Sequence, residues 1–162
     1  SRLKQIDLYA SQALDAICFE AEQNGEFTAL KDYIEHHSIQ DSNPIRGSIC
    51  RAARDIAHQV GARAIIVESA TGKVARAMVH FRPNVPIIAV VTSSLVCKKL
   101  CLNWGITALI GEEKKTSDAI TKQAMEKALS TGYFKKGDIV VVISSNRTAP
   151  TSSTDSLNVR IL

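Results

Sequence analysis

The sequence is poor in aromatic residues. Phe, Tyr and Trp make up 5% of its 162 residues. They do not interleave with clusters of Lys or Arg, which argues against base-stacking platforms for nucleic acid. No apolar run approaches the roughly 20 residues that a membrane span needs, and no signal-peptide pattern opens the chain. The four cysteines, Cys18, Cys50, Cys97 and Cys101, include no Cys-x-x-Cys pair, so the local spacing of a zinc site is missing. The charge is not of one sign either. Lys and Arg number 20 against 16 Asp and Glu, a net +4 that is dispersed along the chain. Such a balance suits a small anionic ligand as well as nucleic acid. The GxxxxGK[ST] spacing of a Walker loop is absent.

What is present is ordinary globular material, 45% hydrophobic and 22% charged, enough for one domain with a real core. The chain starts with Ser1 rather than Met, and is expected to be a piece of something larger. The cysteines are expected to be free thiols in a reducing compartment. Cys97 and Cys101 lie one helical turn apart and can share a helix face. His36 and His37 are adjacent, point different ways on a helix, and read as surface residues.

Apolar periodicity divides the chain into alternating elements. Leu8, Ala13, Leu14, Ile17, Cys18 and Ala21 follow helical spacing up to about Asn24, where Gly25 stops the run. A second, shorter helix is expected over 27–38. Ser42 or Asn43 can cap the next helix, with Pro44 in its first turn and Gly61 at its end. Strands are expected at 64–68, 87–91, 108–110, 139–144 and 157–161. Helices are expected from Gly72 to His80, from a Ser93 or Ser94 cap to about Asn103, and from Thr116 or Ser117 to Gly132. Short apolar strands separated by helices imply an α/β fold with the sheet buried on both faces. Only a dozen or so loop residues join the last two strands, so that pair is expected to be antiparallel, with the fifth strand at an edge. The expected fold is a three-layer α/β/α sandwich around a mostly parallel five-stranded sheet.

One connection stands out. The apolar strand "ARAIIV" runs into "ESATGKVARAMVH". Ligands of such sheets bind beyond the carboxyl ends of the strands. A helix that opens there offers backbone N–H groups without intrahelical partners, and partial positive charge. The candidate phosphate-binding residues are therefore Ser69, Ala70, Thr71, Gly72, Lys73 and Val74. The amides between Ala70 and Val74, the Ser69 and Thr71 hydroxyls and the Lys73 ammonium would be the donors, with Gly72 letting the backbone approach closely. The plainer alternative is that Ser69 or Thr71 merely caps the helix.

Three ordered motifs give this pattern a family. Ser69-Ala70-Thr71-Gly72-Lys73-Val74 resembles a Ser/Thr-x-Ser/Thr-Gly-x-Ser/Thr loop. Phe81-Arg82-Pro83-Asn84-Val85-Pro86-Ile87 resembles a Tyr/Phe-Arg-Pro-x-x-Pro-Ile motif. "GYFKKGDIVVVI", from Gly132 to Ile143, resembles a Phe-Lys-Lys-Gly-Asp approach to a strand. Together, from about Leu8 to the end, they resemble the C-terminal regulatory domain of pyruvate kinases. The resemblance implies a parent that transfers phosphate from phosphoenolpyruvate to ADP, giving pyruvate and ATP. That parent would use Mg and K in a barrel domain, assemble as a homotetramer and reside in the cytoplasm.

It also implies that residues 1–25 lead from the missing barrel and that 26–162 form the C-terminal α/β domain. The barrel's own motifs are absent from the sequence, and Asp118, Asp138 and Asp155 are isolated, each read as a cap or a solvated turn. The fragment is thus expected to be inactive as a kinase, with no catalytic residue, metal site or cofactor of its own. Its expected partners are a phosphorylated small-molecule effector, further copies of the parent and the rest of the chain, with no nucleic acid and no membrane. Departures from the family pattern touch the effector. Val74 replaces a hydroxyl, Ala70 stands where some members have Lys, and the helix before Gly132 lacks the Arg and Trp of members activated by sugar bisphosphates. The loop "NRTAPTSSTDS" carries no glycine. The cradle for one phosphate is mostly kept and the rest of the pocket is rebuilt. A monophosphate, a nucleotide monophosphate and a loss of regulation all stay open, as does a purely structural interface domain.

Overall fold

The computed structural model describes residues 2–23, 43–112, 117–145 and 154–162. The chain divides into two compact units, Ser1–Ser38 and Ile39–Leu162. The first holds helix α1 (Arg2–Gln23), which starts six residues before the apolar periodicity does. Its Leu8, Leu14 and Ile17 are exposed. The short helix expected over 27–38 and the pair His36 and His37 lie outside the described residues.

The second unit is the α/β fold. Its order is α2 (Pro44–Gln59), β1 (Ala64–Glu68), α3 (Lys73–His80), β2 (Ile87–Val91), α4 (Ser94–Leu100), β3 (Ile106–Ile110), α5 (Ser117–Ser130), β4 (Ile139–Ser145) and β5 (Thr154–Ile161). The strands form one sheet in the order β3-β2-β1-β4-β5. β1 pairs in parallel with β2 and β4, β2 pairs in parallel with β3, and β4 pairs antiparallel with β5. This is the expected mixed sheet, with β5 as an antiparallel edge.

The sequence of each strand matches its place. β1 and β2 are apolar at nearly every position and buried at every residue, as strands covered on both faces must be. β5 alternates in character and leaves Val159 and Ile161 exposed, as an edge strand can. Side chains alternate across the sheet, and two cores result. On one face Ile65, Val67, Ile87, Ala89, Val141 and Ile143 pack with Cys50 and Ala53 of α2, Ala75 and Met78 of α3, and Leu100 of α4. On the other, Ala64, Ile66, Ile88, Val90, Val140 and Val142 pack with Ala124 and Ala128 of α5. Those helices on two faces are the outer layers of the sandwich.

In the second unit, the boundaries of β3, α4 and β5 are among those that differ from expectation. β3 begins at Ile106, two residues early, because Gly105 (φ +68°) turns the chain straight into the sheet. α4 ends at Leu100 rather than near Asn103, because the Asn103 side-chain amide donates to the Lys99 and Leu100 carbonyls and closes the helix end. β5 begins at Thr154, so Asp155 lies within a strand and not in a turn or cap. Asp138 does serve a turn, accepting from the Lys135 amide at 3.0 Å.

Candidate phosphate-binding loop

The six candidate residues are contiguous, so their spatial grouping was given; what the structure adds is how each is held. Ser69 continues the line of β1. Its amide donates to the Val90 carbonyl of β2 at 3.2 Å, and the residue is buried. Ala70 and Thr71 form an exposed turn. The Gly72 amide donates back to the Ser69 carbonyl at 3.4 Å, and the Gly72 carbonyl accepts from Arg76, the first bond of α3, at 3.0 Å. Lys73 is exposed. Val74 is buried in the core beside Ala75 and Met78, so only its backbone faces the loop's work. The candidates thus split into a buried set, Ser69, Gly72 and Val74, and a rim, Ala70, Thr71 and Lys73.

Gly72 is the N-cap of α3, with φ 73° and ψ 2°, and α3 has no side-chain cap hydrogen bond. The plainer sequence reading, a helix capped by Ser69 or Thr71, is therefore not what the chain does. The first three helical amides, of Lys73, Val74 and Ala75, have no carbonyl one turn earlier in the helix to accept them. The helix dipole adds partial positive charge at that point. Two cations stand close in sequence and space: Lys73 on the first turn, and Arg76, whose Nη1 lies 3.3 Å from where a Gly72 side chain would begin. Such an arrangement binds anions.

The structure gives glycine at 72 a reason in packing. A side chain there would be strained by the left-handed backbone. Its Cβ would also sit 3.1 Å from Val96 Cγ1 and 3.2 Å from Leu100 Cδ2. The glycine lets the loop lie against α4. That contact and Arg76 are what sequence reading missed. Arg76 carried a faint signal, being one helical turn after Gly72; the α4 contact carried none, since it joins segments more than twenty residues apart.

At the opposite end of α3, Phe81 is buried and Arg82 adopts φ 44°, with its guanidinium 4.6 Å from the centre of the Trp104 ring. This stacking braces the Phe-Arg-Pro motif at the amino ends of β2 and β3, away from the loop. Among the described residues, no group of three or more His, Cys, Asp or Glu is placed to hold a metal ion. No described helix is long and apolar enough to cross a membrane.

Known proteins share this chain's pattern. Residues 47–160 match the family described as "Pyruvate kinase, alpha/beta domain". A pyruvate kinase of Clostridium acetobutylicum is 36% identical over 121 residues, covering 75% of this chain and 25% of that protein. One from Leishmania mexicana is 31% identical over 144 residues, covering 83% of this chain and 28% of its own. One from Geobacillus stearothermophilus is 25% identical over 158 residues, covering 98% and 26%. The chain spans about a quarter of the length of these relatives. With most of the α/β unit inside the matched range, the chain belongs to the pyruvate kinase α/β-domain family.

Proposed function

We propose that this chain is the C-terminal regulatory and oligomerisation domain of a pyruvate kinase, and that it binds a phosphorylated effector at Ser69–Val74. The observation that carries the reading is the start of α3: an uncapped helix N-terminus at the carboxyl end of a buried strand, flanked by Thr71, Lys73 and Arg76. The phosphate would accept from the amides of Thr71, Lys73 and Val74, from the Thr71 hydroxyl and from the two cations. The parent would convert phosphoenolpyruvate and ADP to pyruvate and ATP in the cytoplasm, with Mg and K in its barrel. Residues 1–25 would lead from that barrel and 26–162 would form this domain, inactive as a kinase alone. The parent would be a homotetramer, with the β5 edge at one interface. The edge groups of β5 and the exposed Val159 and Ile161 support that placement.

The test is calorimetric titration of phosphorylated sugars and nucleotides into the wild type and Thr71→Ala. Binding that falls on substitution supports the effector reading. The competing reading, a structural interface domain without an effector, is favoured by the inward packing of Val74 where a hydroxyl would add a donor. It stands if wild type binds none of these compounds at millimolar concentration.

A further inference from the structure

Helix α4 ends in two thiols. Cys97 and Cys101 stand four residues apart across its last turn, and the Cys101 amide donates to the Cys97 carbonyl at 3.2 Å. Cys97 is half-buried, with its Sγ 3.5 Å from the Ala108 carbonyl oxygen of β3. Cys101 is exposed. The exposed Lys98 and Lys99 lie between the two cysteines in the chain. The other cysteines have no such setting: Cys50 is buried in the core, and Cys18 is exposed on α1.

Helix α4 is also a wall of the β1–α3 loop, through the contacts of Val96 and Leu100 with the Gly72 position. Leu100 is fully buried and is the neighbour of Cys101. A change in the last turn of α4 therefore reaches Gly72 through one rigidly packed side chain.

We infer that Cys97 and Cys101 are a two-thiol modification site for a small anionic disulfide, and that closing a disulfide between them alters the loop at Gly72 through Leu100. The inference stands whether or not the loop takes a phosphate. The exposed Cys101, as thiolate, attacks one sulfur of the small disulfide, whose S–S bond breaks and releases one small thiol. Cys97, as thiolate, then attacks the Cys101 sulfur of the mixed disulfide and releases the second small thiol. The two protein thiols lose two electrons and two protons, and the small disulfide gains them as two thiols. The exposed Lys98 and Lys99 favour the approach of an oxidant that carries carboxylates.

Geometry supplies the coupling. Helical positions four apart place their Cα atoms about 6 Å apart, within the roughly 6.8 Å that a disulfide can span. Their Cβ atoms, however, lie about 5–6 Å apart against about 3.8 Å in a disulfide. The last turn must tighten for the bond to close. Cys101 is the C-cap of α4, so the helix end yields there, and Leu100 moves with it.

The test is equilibration of the whole chain in buffers of varied reduced-to-oxidised glutathione ratio. Alkylation of the remaining thiols and mass spectrometry follow, together with amide hydrogen exchange. Wild type should lose two hydrogen masses across the peptides carrying Cys97 and Cys101, without retained glutathione. Cys97→Ser should trap glutathione on Cys101, whereas Cys101→Ser should leave Cys97 mostly unmodified. In the oxidised wild type, exchange of the amides from Lys73 to Arg76 should speed up at least threefold and return on reduction. Persistent mixed disulfide in the wild type with no internal bond would overturn the inference. So would an internal bond that leaves exchange at these amides unchanged.

Discussion

Helix α2 begins on Asn43, whose Oδ1 accepts from the amides of Ile45 and Arg46, both at 3.1 Å, with Pro44 supplying a first-turn residue that has no N–H to satisfy. Helix α3 begins on Gly72, with a left-handed backbone and no side-chain acceptor. Both helices pack on the same face of the sheet, so the difference is not one of burial or partner. The chain closes one helix start with its own side chain and gives the other no side-chain acceptor. An open start costs stability that a cap would supply, about 1 kcal/mol. That cost is what a bound anion at α3 would offset.

The largest break in this contrast should come from Gly72→Asp. It places a carboxylate at the open start and a Cβ against Val96 and Leu100. Calorimetry should find phosphate-ester affinity reduced by more than a hundredfold. Urea unfolding should show a loss of roughly 1–2 kcal/mol from the left-handed backbone alone. Thr71→Ala comes next. A hydrogen bond to a charged group contributes roughly 1.5–3 kcal/mol, so affinity should fall about ten- to a hundredfold. Because no side chain caps α3, the midpoint of unfolding without ligand should stay where it is; a fall of about 1 kcal/mol would mean that Thr71 caps after all.

Asn43→Ala sharpens the contrast from the other side. It removes a cap that accepts two amides, and stability should drop by about 1 kcal/mol, with phosphate affinity unchanged in the same titration. The smallest effect concerns pH. Burial first, and then the neighbouring Cys101, push the Cys97 thiol above its ordinary 9.0. The folded chain therefore holds that proton longer than the unfolded chain does. The associated stability is complete below pH 9 and is lost as pH rises from there through the raised folded value. Thermal midpoints measured from pH 8 to 10 should fall more steeply for wild type than for Cys97→Ser. Equal slopes would remove Cys97 as the cause.

The fold was legible because its signals are local. The runs "AIIVE", "IIAVV" and "IVVVIS" can only be strands covered on both faces, and Asn43-Pro44 is a helix start on its own evidence. The loop's location was legible for the same reason, as a hydroxyl–glycine stretch between an apolar strand and a helical pattern. What was not legible depends on contacts across the chain. Gly72 against Val96 and Leu100, and Arg82 over Trp104, each require the sheet to bring distant segments together. Element ends were legible only where backbone chemistry decides them. Asn103 closes α4 with its side chain, and an asparagine in an apolar-rich stretch does not announce that role.

The start of α2 is closed by Asn43, and the start of α3, which has no side-chain cap, is the one proposed to take an anion. The most direct test of that proposal is a two-dimensional amide NMR titration of the chain with a phosphorylated sugar, with inorganic sulfate as a control for unspecific charge. The account predicts saturable shifts at the amides of Thr71, Lys73, Val74 and Ala75, with Ile45 and Arg46 unmoved. The account is contradicted if the loop amides stay fixed at millimolar ligand, or if those of Ile45 and Arg46 shift as much as they do.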